Sequence, residues 1–167
     1  MLARLDTDLL HAMRTRWHGP RAEAIARGLG LIGEYGAVWL VIGLALALVD
    51  GDRREQWLLC GLLGPTAIVL NYAVKLVVRR RRPVLEGLAP LGGAPSSLSF
   101  PSAHSTASFA CATAMTRVAP EAAVLFVLAA AIAACRPYLG MHYPSDVLGG
   151  ALLGTALGLI APLGLLD

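Results

Sequence analysis

The chain has 167 residues, of which 56% are hydrophobic and only 15% are charged. Soluble domains of this size rarely have that composition, and apolar runs close to the roughly 18 residues needed to cross a hydrocarbon core recur along the chain. The sequence therefore predicts an all-α, polytopic membrane helical bundle. The modest net charge of +3 argues against nucleic acid as a partner.

The first 20 residues form a segment that ends at Gly19-Pro20. Its apolar residues recur near helical spacing: Leu2, Leu5, Leu9, Leu10 and Met13. Its charged residues fall off that stripe: Arg4, Asp6, Arg14 and Arg16. This pattern predicts an amphipathic helix that lies in the membrane interface over residues 1–20, followed by a transmembrane domain over residues 21–167. The same charges interrupt any apolar core of a cleavable signal peptide.

Five apolar segments follow and are predicted to cross the membrane. They run from about Leu29 to Val49, Trp57 to Val78, Ser102 to Val118, Ala122 to Cys135 and Val147 to Leu165. A Gly, Pro and Ser-rich loop, from about Pro83 to Phe100, separates the second span from the third. The three cysteines show no Cys-x-x-Cys pairing, so the sequence predicts neither a disulfide framework nor a zinc site.

Three polar segments, the polar islands, interrupt the apolar sequence at residues 75–83, 101–104 and 136–146. With five spans, the first island closes span two, the second opens span three, and the third joins spans four and five. Because successive spans alternate in direction, all three islands are predicted at one membrane face, where a single site can include them.

The residues of these islands suit a phosphoryl group. Lys75, Arg82 and Arg136 supply a point charge and two planar guanidinium forks, which match the non-bridging oxygens of a phosphate. Ser102 and the backbone amides behind Pro101 would open a helix, where unpaired N–H groups and the helix dipole also favour an anion. Together they predict a phosphate cradle whose donors would stabilise charge on the oxygens of five-coordinate phosphorus.

Two histidines are candidates for the chemistry, because imidazole can act as a nucleophile or an acid near neutral pH. Asp146 lies four residues after His142, so a helical turn would place its carboxylate beside the imidazole, fixing the tautomer. His142 is therefore the predicted nucleophile. His104 lacks an adjacent carboxylate and lies at the predicted anion-binding helix start, which favours it as the acid that protonates the leaving group. The scheme requires no metal or other cofactor.

The three islands resemble the signature of the type 2 phosphatidic acid phosphatase and haloperoxidase family: K-x6-R-P, P-S-G-H and S-R-x5-H-x3-D. Order and spacing agree, and the resemblance covers about residues 57–165. It implies a membrane phosphatase that acts through a phosphohistidine intermediate without metal, and it usually implies six spans rather than five. Ala103, whose backbone would approach the phosphate, replaces the family's glycine, and Cys135 replaces its serine. Both departures are expected to alter substrate preference or rate without removing a catalytic group.

Other stretches bear on the substrate, which is predicted to be a lipid phosphate in the bilayer. GEYGAVWL, DRREQWLL and LSFPSAHST are similar to small family members that act on decaprenylphosphoryl-5-phosphoribose, a precursor of the cell-wall arabinan donor. This implies a phosphomonoester on a polyprenyl-phosphate-linked lipid. The rival substrates are polyprenyl diphosphates, phosphatidic acid and phosphatidylglycerophosphate. A hypothesis of another class is a non-catalytic subunit that binds or transports a lipid phosphate, which would not need His142.

The remaining charges bear on orientation. All Lys and Arg residues except Arg53, Arg54 and Arg117 fall on the face of the islands, which favours a cytoplasmic active site in a bacterial plasma membrane. Arg79, Arg80 and Arg81 are interpreted as a cationic anchor at a helix end. Glu34 and Asn71 are assigned to interhelical hydrogen bonding rather than to the site.

Overall fold

The computed structural model describes residues 2–16, 18–85, 87–92 and 98–164, without the side chains of residues 2 and 3. These residues form seven α-helices: α1 Leu2–Thr15, α2 Pro20–Ile32, α3 Ala37–Val49, α4 Arg54–Val78, α5 Ala103–Val118, α6 Leu125–Tyr138 and α7 Pro144–Ile160. Short 3-10 turns precede α3, α4 and α6 at Glu34–Gly36, Gly51–Arg53 and Pro120–Val124. Within the described ranges there is no strand, so the predicted all-α class is confirmed.

Fewer helices than predicted are long and apolar enough to cross a membrane. The segments Gly51–Val78 and Pro120–Tyr138 meet that requirement, and α2 with α3 adds a third if the bent pair is one span. The helix α7, with 17 residues, is apolar but shorter, and α5 has 16 residues. The described part of the chain thus gives two or three spans by length and composition. Leu165, the predicted end of the fifth span, lies outside the described residues.

The helix α5 occupies the centre of the bundle and is almost entirely enclosed by other helices. Its neighbour α7 faces it with the buried glycines Gly150, Gly154 and Gly158, which repeat every fourth residue. A Cβ on Gly154 would lie only 2.3 Å from the carbonyl oxygen of Thr106. The small residues therefore allow the backbones of α5 and α7 to approach closely.

The predicted span from about Leu29 to Val49 is not one straight helix, because the chain bends by 51° between α2 and α3. Tyr35 and Gly36 adopt left-handed backbone conformations, with φ of 53° and 74°, which no helix can continue. A Cβ on Gly36 would lie 3.1–3.3 Å from the backbone of Gly64 and Pro65 in α4, so this turn packs directly against a neighbouring helix. The bend directs α2 towards the end of the bundle that carries the polar islands.

The N-terminal segment is helical as predicted, but two of its charged residues are buried against the protein. Leu5 and Leu9 are exposed, whereas Asp6 and Arg14, predicted on the solvent side, are only 7% and 5% exposed. Arg14 donates from Nη2 to the carbonyl oxygen of Ala89 at 2.6 Å. Asp6 and Arg14 of α1 therefore pack against the protein, where they form hydrogen bonds, while Arg4 and Asp8 are exposed. Met1 and Trp17 of this segment, like residues 86 and 93–97 of the predicted loop, lie outside the described residues.

Candidate active site

Four helix ends bring the predicted site residues together at one end of the bundle. The last turn of α4 carries Lys75, the start of α5 carries Ser102 and His104, the end of α6 carries Arg136, and the first turn of α7 carries Asp146. The backbone N–H of Ser102 donates to the carbonyl oxygen of Asp146 at 2.9 Å, which joins the second island to the third.

His142 lies in the turn between α6 and α7 and is only 2% exposed. Its Nε2 is 3.2 Å from Nη1 of Arg82, and its Nδ1 is 3.4 Å from Oγ of Ser99 and 3.6 Å from Oδ2 of Asp146. A guanidinium only donates hydrogen bonds, so this network assigns the lone pair to Nε2 and the proton to Nδ1. The imidazole thus directs its nucleophilic nitrogen towards a cation and its N–H towards a carboxylate.

The surroundings keep the His142 ring neutral. Burial lowers the pKa of His142 to about 4, with the positive charges of Arg82, Arg136 and Lys75 acting in the same direction and the hydrogen bond of Asp146 acting against them. A neutral ring is the form that attacks phosphorus. The contact with Asp146 is made across the start of α7 rather than within one helical turn, because α7 begins at Pro144.

Asp146 is fully buried, and donors surround its carboxylate. Its Oδ2 accepts hydrogen bonds from Oγ of Ser99 and from the backbone N–H of Tyr143, the latter at 2.8 Å. Its Oδ1 accepts from Nη1 of Arg80 at 2.7 Å. This arrangement fixes the orientation of the carboxylate beside His142.

Arg80 is therefore not the simple membrane anchor that the sequence suggested. The chain leaves α4 through Arg79, whose φ of 53° is left-handed, and continues without helical structure. Arg80 and Arg82 then turn towards the site, while Arg79 and Arg81 are exposed. A run of four arginines gives no periodicity from which this difference follows. Ser99, also absent from the predicted site, lies three residues before Ser102.

Two of the three predicted phosphate-binding cations are buried, and Arg82 is partly buried. Lys75 and Arg136 are 4% and 5% exposed, and Lys75 donates from Nζ to the carbonyl oxygen of Leu98 at 2.6 Å. Arg82 donates from Nη1 to the carbonyl oxygen of Met141 at 2.7 Å. Nε of Arg136 and Oγ of Ser102 are buried without a hydrogen-bond partner among the described residues. Buried donors normally have acceptors, and the oxygens of a phosphate are acceptors suited to both.

The start of α5 also suits an anion, with one correction. The amide of Ser102, which the sequence assigned to the ligand, is already bonded to Asp146. Since no side chain in the described ranges caps this helix, the amides of the following turn, beginning at Ala103, are the N–H groups that can face a ligand. Ala103 is only partly buried, so its methyl group does not block this approach.

His104 contacts the backbone of α2. Its Nε2 lies 3.1 Å from the carbonyl oxygen of Gly30 in α2, so Nε2 carries a proton and donates it there. A Cβ on Gly33 would lie 3.0 Å from Cδ2 of His104, and the bend after α2 leaves room for the ring only because a glycine occupies that position. Nδ1 is the ring nitrogen that is left to face a substrate.

A cleft of about 310 Å³ opens beside Arg136. It is lined by residues of α2, the bend, the loop and the turn after α6: Arg27, Gly30, Leu31, Glu34, Gly92, Arg136, Leu139 and Met141. Glu34, which the sequence assigned to interhelical bonding, lines this cleft beside Arg136. Asn71 does bond between helices, donating from Nδ2 to Oγ1 of Thr106 at 2.9 Å. No group of three His, Cys, Asp or Glu residues that could hold a metal occurs among the residues with described placement.

An all-helical membrane protein whose histidine–carboxylate pair is surrounded by the buried Lys75 and Arg136 and the partly buried Arg82 has the groups that phosphoryl transfer needs. Residues 56–165 match the model of the PAP2 superfamily, and the chain belongs to that superfamily. It is a phosphatase of the integral membrane type.

Three proteins illustrate what the chain is similar to. It is 40% identical over 141 residues to decaprenylphosphoryl-5-phosphoribose phosphatase of Mycobacterium tuberculosis, covering 84% of this chain and 79% of the relative. It is 33% identical over 135 residues to undecaprenyl-diphosphatase BcrC of Bacillus subtilis, covering 77% and 69%. The crystal structure of a PAP2-type phosphatidylglycerolphosphate phosphatase from Bacillus subtilis superposes with a TM-score of 0.76 at 26% identity, covering 96% of this chain and 84% of that chain.

Proposed function

We propose that the protein hydrolyses the phosphomonoester of decaprenylphosphoryl-5-phosphoribose through a phosphohistidine at His142. The orientation of the His142 ring carries this proposal. Its Nε2, which carries the lone pair, lies 3.2 Å from Nη1 of Arg82, while Nδ1–H faces Asp146. A phosphate held by Arg82 would therefore present its phosphorus to the nucleophilic nitrogen.

In the first step, Nε2 of His142 attacks phosphorus and the bond between phosphorus and the ribose oxygen breaks. Lys75, Arg82, Arg136 and Ser102 stabilise the charge on the three equatorial oxygens. His104, protonated once the phosphate dianion is bound beside it, donates a proton from Nδ1 to the departing alkoxide, while its Nε2–H remains on the Gly30 carbonyl. The products of this step are the alcohol and phosphorylated His142.

In the second step, water attacks the phosphohistidine. His104, now neutral at Nδ1, accepts a proton from the water, and the bond between phosphorus and Nε2 breaks. Inorganic phosphate leaves, and His142 and His104 return to their starting protonation states. Asp146 stabilises the positive ring of phosphorylated His142 through Nδ1–H in both steps.

The relatives and the cleft beside Arg136 support the choice of substrate. The 40% identity covers most of both chains. The cleft adds Arg27 and the carboxylate of Glu34 next to the phosphate-binding cations. A carboxylate repels a phosphate but accepts hydrogen bonds from hydroxyl groups, which a phosphoribosyl headgroup offers and phosphatidic acid does not. Glu34→Gln is expected to reduce kcat/KM for the phosphoribosyl lipid about tenfold or more, with little change for phosphatidic acid. Glu55→Gln, on the exposed start of α4, is the control.

The main test is phosphate release by purified protein from a panel of lipid phosphates, with His142→Ala alongside. Decaprenylphosphoryl-5-phosphoribose is expected to give the highest kcat/KM, and His142→Ala to reduce turnover about 1000-fold or more. His11→Ala, at an exposed position of α1, is expected to act like the parent. A highest value with undecaprenyl diphosphate would support a diphosphatase instead, as in the 33% identical relative. Binding without release by any lipid would support the non-catalytic alternative.

The chemistry also predicts that chelation has no effect, because the scheme uses only side chains of the chain. EDTA is expected to leave turnover intact. If chelation abolished turnover and added metal restored it, a metal-dependent mechanism would replace the phosphohistidine one. With a substrate whose phosphate is radiolabelled, the phosphohistidine intermediate is expected as protein-bound label that acid removes and base does not. The label should appear on the parent protein and not on His142→Ala.

We further propose five spans and a cytoplasmic active site. Each of five units would cross the membrane once: the bent pair α2–α3, then α4, α5, α6 and α7. The helix α5 can be more polar than the other spans because protein encloses it. Thr15→Cys and Asp52→Cys would then lie on opposite faces, and both positions are exposed whereas the native cysteines are buried. In intact cells, an impermeant maleimide is expected to label Asp52→Cys and to spare Thr15→Cys. The reverse pattern would place the site outside.

A further inference from the structure

The buried face of α1 reaches the third island through Asp6. Its Oδ1 accepts a hydrogen bond from the backbone N–H of Ser145 at 2.9 Å, and its Oδ2 accepts from Oγ of Ser145. Ser145 lies in the first turn of α7, where the N–H groups have no acceptor within the helix. Asp6 therefore acts as a capping carboxylate for α7 from a position 139 residues away in the chain.

The same carboxylate holds one side of Arg80. Nη2 of Arg80 lies 2.7 Å from Oδ2 of Asp6, and Nη1 lies 2.7 Å from Oδ1 of Asp146 and 2.6 Å from Oγ of Ser145. The guanidinium also lies 4.2 Å from the centre of the Tyr143 ring. Arg80 is thus shared between two carboxylates, one from the α1 segment and one from the catalytic island.

Sharing this charge affects the carboxylate beside His142. Asp146 must balance the positive charge that develops on the His142 ring when the phosphohistidine forms. Without Asp6, Asp146 would be the one carboxylate among the described partners of Arg80, and Nη2 of Arg80 would lose its acceptor. Asp6 is ionised for this task, because the hydrogen bonds from Ser145 and Arg80 outweigh its burial and hold its pKa below the ordinary value.

We propose that Asp6 is a positioning residue for catalysis, which holds Arg80 and Ser145 so that Asp146 stays directed at His142. The α1 helix then supports catalysis through Asp6, although no group of α1 contacts the phosphate. The inference rests on the proposed phosphohistidine mechanism.

The test compares Asp6→Asn with Asp8→Asn, the same substitution at an exposed position two residues further along α1. Asp6→Asn is expected to lower kcat roughly 10- to 100-fold, with KM within about twofold, while Asp8→Asn stays at parent values. A role in folding alone would lower the thermal stability and the amount of active protein without changing the turnover number of the folded fraction. Parent-like kcat for Asp6→Asn would overturn the proposal.

A double-mutant cycle with Arg80→Gln gives an independent readout. Because Asp6 acts through Arg80, the double variant is expected to lose no more kcat than the worse single variant, and losses that multiply would overturn the proposal. Should Asp6→Asn fail to fold, Ser145→Ala removes a hydrogen bond of Asp6 without leaving a buried charge unpaired. It is expected to lower kcat several-fold at unchanged KM, and parent-like kcat would again overturn the proposal.

His142→Ala in the same assay distinguishes a failure of the proposal about Asp6 from a failure of the phosphohistidine mechanism. If His142→Ala is inactive and the Asp6 variants equal the parent, the inference about α1 fails while the phosphohistidine mechanism stands. If His142→Ala keeps its activity, the mechanism itself fails.

Discussion

Gly154 lies where α7 crosses α5, and this crossing leaves no room for a side chain. A Cβ on Gly154 would lie 2.3 Å from the carbonyl oxygen of Thr106 and 2.9 Å from the backbone nitrogen of Ala110, whereas ordinary contact begins near 3.4 Å. Because both neighbours are backbone atoms, no change of rotamer relieves the overlap. Gly154→Ala must therefore move the two helices apart by about 1 Å.

Overpacking of this kind costs about 1–3 kcal/mol. For a chain of this length, that corresponds to a fall in Tm of about 2–12 °C. Gly28→Ala is the matched control, because a Cβ at Gly28 in α2 would meet nothing within 4 Å. Replacing a glycine inside a helix without a clash is expected to stabilise the protein by up to about 1 kcal/mol. The two alanine variants should therefore shift Tm in opposite directions.

The assay is thermal unfolding in detergent with a thiol-reactive dye, which reports exposure of the buried cysteines Cys60, Cys111 and Cys135. A Tm of Gly154→Ala at or above that of the parent would refute the packing argument. An equal fall in Gly28→Ala would show that any added methyl group in these helices is harmful, and that the α5–α7 crossing is not the cause.

Three further predictions concern the chemistry. His104→Gln should reduce kcat/KM strongly for an alkyl phosphate and little for a nitrophenyl phosphate, because the nitrophenolate leaving group needs no proton. Equal losses of kcat/KM for the two substrates would show that His104 is not the acid. Since burial lowers the pKa of His142 to about 4, its ring resonance in labelled protein should still report a neutral imidazole at pH 5.5, and a midpoint near 6.5 would contradict this. The unfolded chain takes up this proton first, so the contribution of His142 to stability should decline as pH falls from 6.5 towards 4. Orthovanadate should raise the parent Tm by binding the folded site, and Arg136→Gln should abolish the shift while Arg53→Gln, at a residue paired with Asp50 before the start of α4, keeps it.

The meeting of the site residues at one end of the bundle could be predicted from the sequence, because it depends only on the direction in which successive helices run. Helix ends that follow one another through alternating spans must return to the same face, whatever the side chains do in detail. The four-residue spacing of His142 and Asp146 also predicted their contact, although the contact forms across the start of α7. The motifs thus supplied both the residue types and their approximate placement.

Contacts between distant segments could not be predicted in this way. An amphipathic pattern separates polar from apolar residues, but it does not tell whether the polar side meets water or protein. Asp6 and Arg80 are 74 residues apart, and each alone is typical of a membrane surface. The bend at Tyr35 and Gly36 was missed for a related reason, since an apolar run predicts burial in lipid without fixing its backbone conformation.

The helix α5 is less hydrophobic than α3, α4, α6 and α7, and its start is the proposed anion-binding end. Because protein encloses α5, it needs no lipid-facing surface, and two of its hydroxyl groups accept hydrogen bonds from neighbouring helices. Asn71 of α4 donates to Oγ1 of Thr106 at 2.9 Å, and Nε1 of Trp39 in α3 donates to Oγ of Ser108 at 3.1 Å. The glycines of α7 hold the opposite side of α5 at backbone contact. The start of α5 is therefore fixed before any substrate binds, and donors fixed in advance stabilise a transition state without the cost of reorganisation.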